Sequence, residues 1–281
     1  MKNILYTVLL LPYLVLGQDA LLDEIDTETP PDYETAAFKG LKIVNFESTK
    51  MVSQKELYFV VSHRFGTIKT GIEDFFGLDQ AVTRLNLIYG ITDGINIGLS
   101  RSSFQKTYES SLKLRLLRQK IGGMPVTVVL HNSVLLNTSL SEETLPLLEF
   151  KHKLAYASQL LISRKVSKDF SFQLAPTFFH NNFEALDEQD NSQYALGIGG
   201  RHKLTKRWSL NVDYGLHFNR SENSPFKNPL SIGFDLETGG HVFQLHFTNA
   251  QPMNTNYFLG QATGDWGEGD IFFGFNISRV F

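Results

Sequence analysis

The chain contains no cysteine. That excludes thiolate nucleophiles, cysteine-ligated zinc and disulfides, and with them the lipidated cysteine of a bacterial lipoprotein. Beyond residue 17 there is no apolar run of about 18 residues, the length a membrane-crossing helix needs. Charge of one sign is lacking too. The 26 lysines and arginines nearly balance the 29 aspartates and glutamates, for a formal net charge of −3, so no global field calls for nucleic acid. Metal-ligand spacing is absent among the histidines, and His241 and His246 fall on opposite faces of one segment.

Aromatic residues are abundant, with 23 Phe and 10 Tyr, and they sit in segments that alternate with period two. Leu57, Phe59 and Val61 alternate with Tyr58, Val60 and Ser62. Leu85, Leu87, Tyr89 and Ile91 alternate with Arg84, Asn86, Ile88 and Gly90, and Leu112, Leu114 and Leu116 with Ser111, Lys113 and Arg115. Such a pattern marks strands whose two faces meet different surroundings. It predicts about twelve strands, over 56–65, 80–91, 95–103, 108–118, 126–138, 152–164, 170–180, 193–204, 208–219, 229–237, 241–249 and 270–281. Most have the roughly 9–11 residues that a tilted strand needs to cross a bilayer.

The connections sort by length. Thr92-Asp93-Gly94, Lys165 to Asp169, Thr205-Lys206-Arg207 and Thr238-Gly239-Gly240 are tight, and they alternate with long stretches at 66–79, 139–151, 181–192, 220–228 and 250–269. Ser103 to Lys106 breaks the rule by being short where a long loop is expected. A soluble β-sandwich has no reason to sort its loops, whereas short periplasmic turns and long outer loops are the habit of outer-membrane barrels. The fold expected is therefore all-β: a transmembrane antiparallel barrel of about twelve strands in the outer membrane, surrounded by lipid and closed by the C-terminal strand, with both ends periplasmic.

In that last strand Ile271, Phe273, Phe275 and Ile277 oppose Phe272, Gly274, Asn276 and Ser278, and the chain stops on Phe281. A final strand ending in Phe resembles the signal that Gram-negative barrels present to the β-barrel assembly machinery, which the resemblance implies as a partner. At the other end, Lys2, the apolar Ile4 to Leu16 and Gly17-Gln18 predict a secretory signal peptide over 1–17. The acidic, proline-containing 18–38 reads as a periplasmic tail or linker, and 39–281 as the barrel. Residues 39–48 read as a short strand whose place, in the wall or in the lumen, stays open.

Ser62-His63-Arg64-Phe65-Gly66, the run Gly233 to Leu245 (GFDLETGGHVFQL) and Asn249-Ala250-Gln251-Pro252-Met253 resemble a family of bacterial envelope β-barrels classed as a domain of unknown function. The resemblance spans roughly residues 36–281. It implies the barrel fold and supplies no catalytic residue.

If the apolar faces meet lipid, the opposite faces line the lumen. The basic lumen set is Arg64, Arg84, Lys113, Arg115, Lys153, Arg201 and Lys203; the acidic set is Asp213, Asp235 and Glu237. Opposed charged walls set ion selectivity in a pore, but the same charges paired across a narrow lumen plug it. Lumen glycines (Gly90, Gly98, Gly197, Gly199, Gly215, Gly233, Gly274) favour open space. His131 and Ser133 share a face, as a serine nucleophile and its base would; the lipid-side Val126, Val128 and Leu130 place them in the lumen, without an evident third partner. The loop Asp265 to Asp270 lacks a full calcium-loop signature. Ile72 to Leu78 offers an apolar patch or folds over the mouth.

The expected function is a narrow channel for small solutes with a charge-lined lumen. The alternative is a plugged barrel acting as a structural or partner-binding envelope component, through loops 66–79 and 250–269. A lipid-acting hydrolase using Ser133 is the weakest reading. No enzyme activity, cofactor or metal is expected.

Overall fold

The computed structural model describes residues 33–281; the expected signal peptide over 1–17 and the acidic stretch from 18 to 32 lie outside the described residues. Twelve antiparallel strands close on themselves. They are β1 (Leu57–Thr67), β2 (Ala81–Thr92), β3 (Ile95–Ser102), β4 (Thr107–Leu117), β5 (Thr127–Asn137), β6 (Leu154–Lys165), β7 (Phe170–Asn181), β8 (Ser192–Lys203), β9 (Trp208–His217), β10 (Leu230–Thr238), β11 (His241–Thr248) and β12 (Phe272–Val280). Each pairs with its sequence neighbours, and β12 returns to β1, from Tyr58↔Val280 to Thr67↔Phe272. Closure follows from the surroundings: an open edge in hydrocarbon would leave a row of N–H and C=O groups unpaired, at several kcal/mol each.

The alternation works as a two-solvent code. Leu85, Leu87, Tyr89, Ile97, Leu99, Val134, Phe178, Phe234, Phe243, Leu245 and Phe247 point outward and are exposed. Ser62, Arg84, Asn86, Asn96, Ser100, Gln159, Gln173, Asn211, Gln244 and Thr248 point inward and are buried. Only an apolar medium makes this inversion favourable. Aromatics gather toward both rims: Tyr108, Phe178 and Tyr194 toward one, Phe170 and Trp208 toward the other.

One end of the barrel carries the connections 93–94, 166–169, 204–207 and 239–240, together with a longer one at 118–126. The other carries 68–80, 138–153, 182–191, 218–229 and 249–271, and the single short turn 103–106. The chain enters β1 and leaves β12 at the short-turn end. Beyond β12, Phe281 extends the seam: its N–H donates to the Leu57 carbonyl (2.9 Å) and its carbonyl accepts from the Leu57 N–H (3.1 Å).

Residues 39–48, whose place the sequence leaves open between wall and lumen, form no strand of the wall. They turn inside the lumen as a tight hairpin, with the Ile43 N–H donating to the Phe46 carbonyl (2.8 Å) and the Ser48 N–H to the Leu41 carbonyl (2.9 Å). The tail also ends earlier than residue 38, since Ala37 and Phe38 are already buried. Both follow from the apolar character of Ala37, Phe38, Leu41, Ile43, Val44 and Phe46, which a periplasmic tail would leave in water.

Candidate functional site

The lumen is filled from both ends. From the short-turn end, residues 36–53 enter, turn at 43–48 and leave again. Tyr33 stays at the rim, bridged to Lys120 and lying under the Arg118 guanidinium (4.6 Å) and the Lys120 ammonium (4.7 Å). On the way out Val52 exchanges two bonds with Asn96 of β3, N–H to Oδ1 at 2.8 Å and Nδ2 to the carbonyl at 2.9 Å. From the long-loop end, residues 249–264 dip inward around a short helix, α1 (Thr255–Gly260), whose residues Thr255 to Leu259 are buried. The two segments meet mid-barrel, where the rings of Phe46 and Phe258 lie edge to face at 4.9 Å.

The wall is shaped to receive them. Val129, Ala157, Leu161, Ala175, Phe179 and Ala195 pack with Phe46, Phe258 and Leu259 in one buried cluster. A Cβ built at Gly197 would lie 2.3 Å from the Phe46 ring, one at Gly199 would lie 2.4 Å from Ile43 Cδ1, and one at Gly215 would lie 2.7 Å from Leu259 Cδ2. Of the lumen glycines that suggested open space, Gly90, Gly197, Gly199, Gly215 and Gly233 are instead sockets of the plug, while Gly98 and Gly274 face side chains or backbone of the wall. A small residue signals room for an occupant, and here the occupant is the chain itself.

Several of the predicted charges hold these segments, and the rest lie elsewhere on the wall. Asp213 Oδ2 accepts the backbone N–H groups of Val44 (2.9 Å), Asn45 (2.7 Å) and Phe46 (3.1 Å), which caps the hairpin turn. Lys113 Nζ lies 3.0 Å from Glu47 Oε2, and Lys42 Nζ lies 2.9 Å from Glu47 Oε1. Arg84 pairs with Glu109 at 3.1 Å, and the other oxygen of Glu109 accepts from Asn254 Nδ2. Asp235 Oδ1 accepts from Gln244 Nε2 (2.6 Å), which also donates to the Ile43 carbonyl. Glu237 takes Lys39 at 3.0 Å, near the short-turn rim. Arg201 donates to Ser209 (3.1 Å). It and Lys203 line a cavity of about 520 Å³ at that end, together with Lys39, Lys165, Lys168 and Asp169. Arg115 lies partly exposed near the short-turn end of β4, and Lys153 sits in the turn before β6 at the opposite end.

Arg64 is the residue that joins the segments. Its Nη1 donates to the carbonyls of Ala250 (2.6 Å) and Pro252 (2.7 Å) on the long-loop side. Its Nη2 donates to Asn45 Oδ1 on the hairpin, and its Nε to His246 Nε2 at 3.3 Å. A guanidinium with planar, divergent donors suits such a junction better than a single ammonium. Sequence reading missed Glu47, Lys42 and Glu109 as members of the network. Glu109 was within reach, being four residues from Lys113 on the same strand face. Glu47 was not, because only tertiary placement puts it in the lumen.

What remains open inside is small. Between the hairpin and the wall of β1, β2, β11 and β12 lies a cavity of about 30 Å³, lined by Ser62, Arg84, Asn86, Gln244, Asn276 and Ser278, enough for about one water molecule. His131 and Ser133 are both buried in the lumen; among the described residues no carboxylate accepts from His131, so the third member of a triad is missing there. No cluster of His, Cys, Asp and Glu suited to a metal ion occurs among the described residues.

The family model described as "Membrane bound beta barrel domain (DUF5777)" matches residues 38–281. No curated protein matches the sequence. Solved structures of similar shape include the NanC porin (10% identity, TM-score 0.49, covering 80% of this chain and 98% of that one). The KdgM porin is similar at 7% identity, TM-score 0.49, covering 80% and 99%. A third is the COG4313 outer membrane channel from Pseudomonas putida F1 (12% identity, TM-score 0.47, covering 90% and 100%). At such identities the likeness is one of shape alone.

Proposed function

The chain belongs to this family of membrane-bound β-barrel domains, and on that premise we propose that it is an outer-membrane channel for small polar solutes, held shut by its own two re-entrant segments. The observation that carries the reading is how the N-terminal hairpin is anchored. Both of its ends leave through the short-turn mouth, so it can withdraw without breaking any strand pairing. Its hold on the strands includes hydrogen bonds and ion pairs to Asp213, Lys113, Gln173 and Asn96. Water can take over such bonds when the hairpin leaves. The vacated passage would then expose Arg84, Lys113, Asp213 and Asp235, whose charges would select the solute. The long-loop segment would remain as the constriction. The short-turn end faces the periplasm in this reading, and the β12–β1 seam ending in Phe281 is what the assembly machinery would recognise.

The test is conductance in planar bilayers of the full chain and of a variant lacking residues 36–52. The channel reading expects rare openings in the first and steady current steps in the second, with a reversal potential in a salt gradient that shifts on Lys113→Glu. A deletion variant that folds and stays silent would remove it.

One observation favours the plugged, partner-binding alternative. Arg64 is buried with bonds to both segments, and the loops at the long-loop end leave Ile72, Phe75, Phe76, Leu147 and Phe150 exposed. In that reading the barrel is a rigid stand for those loops, and no variant of the hairpin alters permeability. Neither reading assigns catalysis to Ser133; Ser133→Ala should leave any measured lipid hydrolysis unchanged.

A further inference from the structure

We propose that a cavity at the long-loop mouth, above α1, is a binding site for a small neutral polyhydroxylated solute of about monosaccharide size. The cavity measures about 210 Å³, and its lining includes Gln105, Asn137, Lys153, Asn181, Tyr257 and Gln261, with the ring of Phe183 on one side. These residues come from the 103–106 turn, the ends of β5 and β7 and the loop that follows β7, the turn before β6, and α1 with its C-cap Gln261. No two adjacent elements supply the set, so it exists only in the closed barrel.

The polar groups are arranged in advance. Asn137 Nδ2 donates to Gln105 Oε1 (2.6 Å) and to the Tyr257 hydroxyl (3.2 Å), and Gln105 Nε2 donates to Gln261 Oε1 (3.1 Å). This chain holds three amides and a phenol in fixed orientations and still leaves capacity. Among the described residues nothing accepts from Gln261 Nε2 or Lys153 Nζ, and the Tyr257 hydroxyl hydrogen stays available to donate. Amides both donate and accept, which matches hydroxyl groups that do the same. The Phe183 ring offers an apolar wall to the C–H face of such a solute. A single ammonium, with the Glu184 carboxylate bonded to Asn181 close by, argues against an anion as the main ligand.

Backbone conformation gives an independent reason to regard this as a built site. Gln105 and Lys106 adopt left-handed φ angles of 48° and 47° without being glycine. A side chain in this conformation is strained and persists only where the surrounding structure holds it. Here the strained turn holds the Gln105 amide between Asn137 and Gln261. This is also the one short connection at an end of otherwise long loops, so it does not cover the cavity. The site does not depend on the N-terminal hairpin, since its residues from the plug, Tyr257 and Gln261, belong to the long-loop segment that stays in place when the hairpin leaves.

The experiment is a titration of the folded, full-length barrel in a detergent without a sugar head group, using glucose, galactose, mannose and N-acetylglucosamine as probes, with glucuronate for comparison. Ligand-observed NMR or calorimetry gives the affinity. Saturable binding of at least one neutral probe is expected below about 10 mM, the weak end of the affinity scale. Gln105→Gly should leave the barrel folded, the relieved left-handed strain offsetting the lost side-chain bonds, while weakening that binding about tenfold, as expected when an oriented amide is lost. Tyr257→Phe, which leaves the packing intact, should weaken it as well. No saturable binding by the folded wild type, binding of glucuronate alone, or affinities unchanged in both variants would each overturn the proposal.

Discussion

Phe46 and Phe258 stand 4.9 Å apart, edge to face, although one arrives from the short-turn mouth and the other from the long-loop mouth. Their contact joins the two re-entrant segments inside the lumen. Phe46 is also the side chain for which Gly197 makes room, at 2.3 Å from where a Cβ would stand. Gly197→Ala should therefore displace Phe46 and destabilise the closed form by about 1–3 kcal/mol, the usual cost of overpacking. Adding Phe46→Ala to the same chain should recover most of that loss. Thermal unfolding of the two variants, followed by heat-modifiable migration on gels, would decide it; a Gly197→Ala chain as stable as wild type would refute the fit.

Asp213→Ala should loosen the hairpin without touching a strand pair. Three buried N–H groups lose one shared acceptor, and each orphaned donor costs roughly 1–3 kcal/mol. Hydrogen exchange at residues 43–48 should accelerate by orders of magnitude while exchange in β8 and β9 stays slow. Equal acceleration in the strands would mean that Asp213 supports the wall itself.

The Lys113–Glu47 pair makes a cleaner test of attachment. Lys113→Glu places a second carboxylate beside Glu47, and breaking a buried pair from one side costs about 3–5 kcal/mol. The charge-exchanged double variant Lys113→Glu with Glu47→Lys should restore part of it. Protease cleavage between residues 36 and 53 reads the outcome: frequent in the single variant, rare in the double. The same rate in both would sever the link between pair and plug.

At the long-loop end, burial pushes the Glu184 carboxyl above its usual value, opposed by the bonds it accepts from Asn181 and Gln193. A carboxyl raised on folding favours the folded loop when protonated, so its contribution is present at low pH and is lost as pH rises through the raised value. Glu184→Gln can keep accepting from both partners and carries no charge. Exchange of residues 182–191 should therefore slow in the variant at neutral pH and match wild type in acid. A difference of the same size at both pH values would assign the effect to packing.

Reading from sequence worked where the physics is local. Period-two alternation located all twelve strands, within a few residues of their ends, and put His131 and Ser133 on the inner face because Val128 and Leu130 claim the outer one. The sorting of connections, including the anomalous turn 103–106, was legible for the same reason, strand direction alternating along the chain; the long connection 118–126 at the short-turn end is a second exception that the reading did not name. The hairpin was not legible. Leu41, Ile43 and Val44 read equally well as an extra strand, since periodicity reports that a residue is buried and not by what.

The sequence alone therefore determined the wall: twelve amphipathic strands, a lipid-facing apolar belt, closure by β12 on β1. Each of these follows from two-residue periodicity and the cost of unpaired backbone in hydrocarbon. Only the tertiary structure decided what fills it. Asp213 meets the N–H groups of Val44, Asn45 and Phe46 across about 170 residues of sequence (169, 168 and 167), and Arg64 meets Ala250 across 186. Contacts at such separation leave no local pattern. They arise because a closed barrel brings every inward-facing side chain to the same small interior volume, which the chain's own segments occupy.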